Sequence, residues 1–310
     1  MASIDRLGYR PSTSARAMRG RAYTLGVVAS DIHNPFFADV TVGISRKLQE
    51  TAYQPLLGFS LTNGEKELSL VEAMLDRQVD GLIWIAPRVD GKSLRDIARR
   101  IPLVLVAYHA ADSDDFDTAN VDDELGALMA VEHLGASGRQ RIAMVSVTWP
   151  GTTGSVVRRR EHGYLKGMSR LGLSDHAKIV HVEESAADIG AVADALLRQP
   201  QRPDALFCWN DFAALEMLSL TRTLGLEVPR DIAIVGFDNT SFCRLAQNSL
   251  SSIDQFAEML GENAAEMMLE RIEGRIPSRH IKLEPSLVLR DSSAAPGIKI
   301  ARSRGRNSQS

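Results

Sequence analysis

The sequence predicts an α/β protein made of two doubly wound parallel-sheet lobes, with a ligand cleft between them. Short apolar segments that suit buried strands alternate with segments of helical periodicity along the chain. This alternation is typical of parallel sheets that are covered by helices on both faces. Ten predicted strands are too many for one comfortable twisted open sheet, and 310 residues are enough for two domains.

Each element is predicted from its pattern of apolar residues. Strands are predicted where a short apolar run is bounded by polar or turn-forming residues. These runs are 25–29, 56–59, 81–85, 103–106, 142–147, 178–182, 205–208, 232–235, 281–283 and 287–289. Helices are predicted where apolar residues recur every three or four positions, as Phe37, Val40, Ile44 and Leu48 do in the first. They are 36–51, 65–77, 93–100, 123–134, 154–171, 186–197, 212–224 and 256–273.

The composition is that of a folded globular protein, with 44% hydrophobic and 24% charged residues. A net charge of -3 excludes a chain that is basic throughout, so any DNA contact must come from a local basic patch. No apolar run is long enough to span a membrane, and the basic residues 1–20 lack the apolar segment of a secretory signal. Cys208 and Cys243 are expected to be free thiols in a reducing cytosol. The expected localisation is therefore cytoplasmic.

Motifs for enzyme chemistry are not found in the sequence. It has no glycine-rich dinucleotide or phosphate loop after a strand, no nucleophile elbow, and no His-Glu-x-x-His or Cys-x-x-Cys pattern. We therefore expect a protein that is not an enzyme, with no catalytic residue, no metal ion and no cofactor.

Several short motifs follow one another in a fixed order along the chain. They are LGYRPS at 7–12, LGVV at 25–28, NPFF at 34–37, VDGLI at 79–83, VEHL at 131–134, WND at 209–211, VGFDNT at 235–240, LSSIDQ at 250–255 and RIEG at 271–274. In this order and spacing they resemble the LacI (lactose-repressor, or LacI/GalR) family of bacterial transcription regulators. The resemblance implies a periplasmic-binding-protein-like core of type I, in which ligands bind outside the carboxyl ends of the strands.

The resemblance also implies the domain organisation. Residues 23–137 plus 256–284 would form the N-terminal lobe, and residues 138–255 plus 285–291 the C-terminal lobe. Residues 1–22 resemble the end of the DNA-binding headpiece and the hinge helix. Family members carry a helix-turn-helix that starts about forty residues before the Leu-Gly-Tyr segment, whereas six residues precede Leu7 here. We therefore expect most of the helix-turn-helix to be missing, through a misassigned start, a fragment or a real loss. Residues 292–310 are expected to be a disordered tail.

The hinge-like segment offers candidate DNA contacts. In the family this helix forms when two protomers pair over the minor groove, and an apolar residue wedges into a base step. By resemblance, Met18 would be the wedge, Pro11 would begin the helix with Ser12 near its cap, and Arg16 would meet phosphates. Tyr9 belongs to the turn that precedes them. The alternative is that residues 1–22 are only a solvated basic arm.

Six side chains are implied to bind an effector. They are Phe36, Phe37, Trp149, Arg160, Asn210 and Asp238. A guanidinium offers a fixed fork of donors to hydroxyl or carboxylate oxygens, and aromatic faces suit the apolar side of a sugar ring.

Each of these side chains also has a structural alternative. The two phenylalanines suit a helical core face, and Asn210 and Asp238 each follow a strand, where they could cap local backbone. We expect Asp211 to cap the helix after it. Arg158 and Arg159 precede Arg160, and a solvated face explains at least one of the three.

The expected function is that of a transcriptional repressor that senses a sugar or sugar acid. Ligand binding would close the lobes and alter the dimer surface, which would decide whether the hinge helices pair on operator DNA. The dimer contact is expected at helices 36–51 and 65–77, in a homodimer or a tetramer, with no membrane partner. The alternative is a solute-binding protein of the same fold without DNA binding. The missing secretory signal and the hinge-like segment argue against that alternative.

Overall fold

A computed structural model describes residues 21–61, 64–148, 156–183 and 185–294. The chain packs as two compact units. The first contains the described residues 21–61, 64–120 and 257–282, and the second contains 121–148, 156–183, 185–256 and 283–294.

The first unit has a six-stranded sheet in the order β2-β1-β3-β4-β5-β11. Its strands are β1 (Thr24–Ala29), β2 (Gln54–Phe59), β3 (Gly81–Ile85), β4 (Leu103–Val106), β5 (Asp117–Val121) and β11 (His280–Leu283). The last residue of β5 and the last residue of β11 are assigned to the second unit by their packing. Its helices are α1 (Pro35–Leu48), α2 (Gly64–Asp76), α3 (Gly91–Ala98) and α8 (Ala257–Ile272). Strands β1 to β5 pair in parallel.

Helices cover both faces of this sheet. Leu82 and Trp84 of β3 point to the face on which α2 and α3 pack, and they share one apolar cluster with Met74 and Leu94 of those helices. Gly81 has the opposite parity and lies against Met268 of α8. Both faces are apolar because both are buried, which explains the continuous apolar runs of the strands.

The second unit repeats the same topology, with the strand order β7-β6-β8-β9-β10-β12. Its strands are β6 (Ile142–Val147), β7 (Lys178–Val182), β8 (Ala205–Cys208), β9 (Ala233–Asp238), β10 (Ser251–Asp254) and the antiparallel β12 (Ser286–Val288). Its helices are α4 (Asp123–Ala136), α5 (Val156–Arg170), α6 (Ala186–Leu197) and α7 (Asp211–Thr223). In this order, the chain reverses its winding between β6 and β8, where doubly wound sheets bind ligands.

The predicted fold class is confirmed, but two strands were missed. Strands β5 and β10 have the sequences DTANV and SSID, which are too polar to be recognised as buried strands. Their polar side chains are buried because they are hydrogen-bonded: Ser252 donates to the carboxylate of Asp211 at 2.6 Å, and Asp117 accepts from Arg271 at 2.8 Å.

The division between the units also differs from the sequence-based assignment. Helix α4, which the sequence assigned to the N-terminal lobe, packs in the second unit, where Gly126 lies against Phe237 and Ile253. The predicted tail starts too early as well. Ser292 and Ser293 are buried and donate to the carbonyl of Ile234 and the hydroxyl of Ser251, both at 2.7 Å.

Candidate effector site

The carboxyl ends of β8 and β9 place two of the predicted ligand residues in the second unit. Asn210 comes two residues after β8, and Asp238 is the last residue of β9. The two strands are parallel neighbours, so their carboxyl ends lie at the same edge of the sheet. Both side chains are buried. This edge is where a doubly wound lobe presents groups to a ligand.

Arg160 enters the same group of residues from α5. Its Nε donates to Oδ1 of Asp123 at 2.8 Å, and Nη1 donates to the carbonyl of Trp209. Nη1 also lies 3.8 Å from Oδ1 of Asp238. The guanidinium stacks over the ring of Phe237, 3.6 Å from its centroid, an arrangement that stabilises a cation on an aromatic face. These contacts together fix the orientation of the Arg160 guanidinium.

The close packing of α4 on α5 brings Arg160 and Asp123 together. At Gly163 a Cβ atom would lie 2.2 Å from the carbonyl oxygen of Glu124 and 2.8 Å from Cβ of Ala127. Such an approach is open only to glycine, because any side chain would push the helices apart. The spacing of three residues puts Gly163 and Arg160 on the same face of α5. The glycine therefore sets the distance between the two helices that carry the pair.

Asp238 has an unusual backbone conformation. Its φ is 115°, and φ of Asn239 is 53°. Non-glycine residues in this region are strained, and such strain is concentrated at functional sites. Nε2 of Gln255 donates to Oδ1 of Asp238 at 2.6 Å. The carboxylate is thus held at the strand end by a neighbour that the sequence did not indicate.

Asn210 has the structural role that the sequence offered as an alternative. It is the N-cap of α7, and its Oδ1 accepts from the backbone N–H of Ala213 at 2.9 Å. The expectation that Asp211 caps this helix is wrong. Asp211 is buried inside the unit, where Thr240 N, Ser252 Oγ and the thiol of Cys243 donate to it. Burial raises the pKa of Asp211.

The two cysteines are free, as predicted, and both are buried. Burial raises the pKa of both thiols, and the nearby Asp211 carboxylate raises them further. Both side chains therefore stay protonated.

The other arginines of the triplet point away from this site. Arg158 and Arg159 are exposed, whereas Arg160 is 3% exposed. The interpretation as a solvated face therefore holds for Arg158 and Arg159. Of the three arginines, Arg160 is the one that contacts Asp123 and Asp238.

In the first unit, Phe36 and Phe37 open α1 directly after β1. Asn34 caps this helix and accepts from the N–H of Phe36 at 3.0 Å. The two rings are buried and meet edge to face, 5.5 Å between centroids. Within this unit they are packed as core side chains are, at the edge where β1 ends.

A buried polar cluster that the sequence did not indicate lies at the same edge of the first unit. Glu67 of α2 accepts from the hydroxyl of Ser60 at 3.1 Å and from the N–H of Arg88 at 2.8 Å. Ser30, next after β1, donates to the carbonyl of Ala86 at 2.7 Å. Burial raises the pKa of Glu67, although the hydrogen bonds from Arg88 and Ser60 oppose the shift.

Some predicted residues lie outside the described part of the chain. These are Trp149 and the hinge residues Tyr9, Pro11, Ser12, Arg16 and Met18. Among the described residues no group of three histidine, cysteine or acidic side chains could hold a metal ion. In the same part of the chain, no helix has the length and apolar character needed to cross a membrane.

Asp123 and Gln255 were missed for identifiable reasons. Asp123 follows Asp122, which is the N-cap of α4 and accepts from the N–H of Leu125. An acidic residue in the first turn of a helix is ordinary, so nothing in the local pattern singles it out. Gln255 follows β10, the strand that was too polar to be recognised.

Two doubly wound units of the same strand order, with polar side chains at the carboxyl ends of their strands, define a periplasmic-binding-protein-like fold of type I. The family model of the periplasmic binding protein-like domain matches residues 131–293. Catabolite control protein A of Priestia megaterium is 31% identical over 255 residues, which cover 82% of this chain and 76% of that protein. The HTH-type transcriptional repressor PurR of Photobacterium profundum is 27% identical over 297 residues, covering 94% and 88%.

A solved structure agrees with these relatives. A LacI transcriptional regulator from a Rhodococcus species superposes with a TM-score of 0.79 at 27% identity, covering 88% of this chain and 98% of that one. The chain belongs to the LacI family of transcriptional regulators.

Proposed function

We propose that this protein is a transcriptional repressor whose core binds a small polar metabolite, a sugar or a sugar acid, and couples that binding to operator DNA. The relatives named as repressors support the regulatory role. A regulator of this kind binds DNA inside the bacterial cell, so a cytoplasmic location is part of the proposal. No observation favours the alternative of a solute-binding protein without DNA binding.

The proposal that the core binds a small polar metabolite rests on the arrangement of side chains around Arg160. A guanidinium has five N–H groups, and the bonds to Asp123 and Trp209 use two of them. The remaining donors suit ligand oxygens, and the carboxylate of Asp238 suits ligand hydroxyls. Asn210 uses Oδ1 for its helix cap, which leaves its amide group as a donor. Donors and acceptors at one strand edge match a molecule with several hydroxyl groups.

The coupling to DNA is proposed to run through a homodimer. The family resemblance assigns the dimer contact to α1 and α2 and the DNA contact to Tyr9, Pro11, Ser12, Arg16 and Met18. On α1 the side chain of Val42 is 46% exposed, and on α8, which packs against α1, Met259 is 48% exposed. Exposed apolar side chains on adjacent helices suit an isologous contact between two copies.

Calorimetric titration of the full chain with sugars, sugar acids and nucleosides tests the proposal, with product analysis of every mixture. A sensor binds at least one compound and returns it unchanged. Conversion of a bound compound would instead indicate an enzyme. Operator fragments selected with the full-length protein should then change affinity when the bound compound is added, and an unchanged affinity would contradict the coupling.

A further inference from the structure

The contacts of Arg160 have a consequence for the charge of its ligand. Its guanidinium already contacts two carboxylates, that of Asp123 at 2.8 Å and that of Asp238 at 3.8 Å. The side chains of all three residues are at most 4% exposed. The one positive charge of this group is therefore matched by two negative charges in a place with little water to screen them.

Although the charge of Arg160 is compensated, its N–H donors are not all used. Two N–H groups are used by Asp123 and Trp209, and one face of the guanidinium is covered by Phe237. Donors remain for neutral oxygen atoms, such as hydroxyl or ring oxygens. The site thus offers hydrogen bonds without an uncompensated positive charge.

Other arginines on the same helix do not change this balance. Arg158 and Arg159 are exposed on the solvent side of α5, and charges separated by solvent are screened. An anionic ligand placed beside Arg160 would lie close to both carboxylates and would be repelled by them.

We propose that Asp123 is a specificity-determining residue, which restricts the effector to uncharged, hydroxyl-bearing molecules and excludes sugar acids and sugar phosphates. This inference rests on the proposed function, because it concerns the same site. Asp123 neutralises Arg160 while leaving its remaining donors available. Like charges placed together at a buried contact oppose binding strongly, and such a repulsive element is a recognised way to reject a competing ligand.

The first test compares matched pairs on the wild-type protein by calorimetry. The pairs are glucose with glucuronate, galactose with galacturonate, and ribose with ribose 5-phosphate. In any pair that binds, the neutral member is expected to bind at least about tenfold more tightly, as like-charge repulsion in a buried site requires. An acid or phosphate ester that binds at least as tightly as its neutral partner overturns the inference but leaves the proposed function intact.

The second test removes one carboxylate at a time and uses inorganic sulfate as the probe. Asp123→Asn is compared with Glu132→Gln, which removes the same charge from the same helix at an exposed ion pair with Arg170 of α5. At constant ionic strength, sulfate should raise the melting temperature of Asp123→Asn more than that of the control or the wild type. An equal response in the two folded variants overturns the inference.

The remaining outcomes are also decisive. If Asp123→Asn does not fold, Asp123→Ser replaces it, and the response of the wild type to sulfate is compared with that of Arg160→Gln, which lacks the positive charge. A wild-type stabilisation by sulfate that Arg160→Gln abolishes contradicts the exclusion of anions. If sulfate does not stabilise the wild type through Arg160, the exclusion of anions is supported. This result holds even when no organic compound binds and the proposed function itself fails.

Discussion

Arg160 of α5 donates from Nε to Oδ1 of Asp123 on α4 across 2.8 Å, and neither side chain is more than 4% exposed. The same two helices are also joined at the surface, where Arg170 pairs with Glu132 at 2.9 Å and both side chains are about half exposed. One pair of helices thus carries a buried and an exposed ion pair of the same chemistry. The buried pair fixes the direction in which the guanidinium presents its other donors.

Loss of the buried partner should be costly. Asp123→Ala removes the hydrogen-bond acceptor of the buried Arg160 Nε and leaves Asp238, 3.8 Å from Nη1, as the remaining carboxylate. We therefore expect the free energy of unfolding to fall by about 1.5–3 kcal/mol. Glu132→Ala, at the exposed pair, should cost at most about 1 kcal/mol. Urea denaturation of both variants measures the difference. Equal losses would show that the Arg160–Asp123 contact is not a buried, water-free pair in solution.

A methyl group at Gly163 should separate the helices that hold this pair. The added Cβ would overlap the Glu124 carbonyl, so Gly163→Ala is expected to lower stability by about 1–3 kcal/mol. A Cβ atom added at Gly190 of α6 would meet no described atom within 4 Å, and Gly190→Ala should raise stability by up to about 1 kcal/mol. Thermal unfolding distinguishes the two. A neutral Gly163→Ala would mean that α4 and α5 pack less closely than described.

Glu67 should make stability depend on pH. Burial raises its pKa in the folded protein, whereas the unfolded chain has a value of about 4.3. The folded state therefore binds the proton more tightly, and this contribution to stability is lost as the pH rises from about 4.3 through the folded pKa. Gln at this position can accept from Arg88 and donate to the Ser60 hydroxyl. Glu67→Gln should therefore retain stability at neutral pH and lack this decline, as urea denaturation at several pH values can show.

Asp117 should give a pH dependence of stability opposite in sign to that of Glu67, and it serves as the control. Burial alone would raise its pKa, but hydrogen bonds from Arg275 and Arg271 outweigh burial and lower it. Asp117 therefore stabilises the fold above the unfolded value of about 3.9, and this stability is lost as the pH falls through the folded pKa. Asp117→Asn should be destabilised at neutral pH and approach the wild type in acid. The same pH trend in both variants would refute the assignment of the two carboxyl groups.

Backbone strain at a strand end gives a further prediction. Ala107 directly follows β4 and has φ of 55°, a conformation that costs an L-residue roughly 1–2 kcal/mol. Ala107→Gly should therefore be neutral or stabilising by up to about 1 kcal/mol. Ala73→Gly, within α2, should instead destabilise by about 1 kcal/mol. Denaturation midpoints compare the two, and a loss at Ala107 as large as that at Ala73 would argue against strain.

The elements that could be predicted from the sequence are those whose pattern comes from burial of apolar side chains. Strands β3, β4, β6, β7 and β8 were predicted to the residue because each apolar run ends where less apolar residues begin, as at Asp80 before β3 and Pro102 before β4. Strands β5 and β10 were missed because hydrogen bonds to distant residues, rather than apolar character, make their burial possible. Such partners are distant in sequence, so local pattern cannot reveal them.

The candidate site shows the same limit. Arg160 and Asp238 could be named because their motifs resemble those of a known family. Asp123 could not, because its role depends on the packing of α4 against α5. The sequence also could not tell which of Asn210 and Asp211 caps α7, because both residue types favour the N-cap position.

Calorimetry of the wild type and of matched variants with the best compound from the titration panel tests the central claim most directly. If the second unit binds its effector through Arg160 and Asp238, then Arg160→Lys and Asp238→Asn should each weaken binding by about tenfold or more, as loss of a charge-assisted hydrogen bond does. The exposed control Glu132→Gln should bind as the wild type does. Undiminished affinity in both site variants would contradict the claim that this arrangement of residues is the effector site.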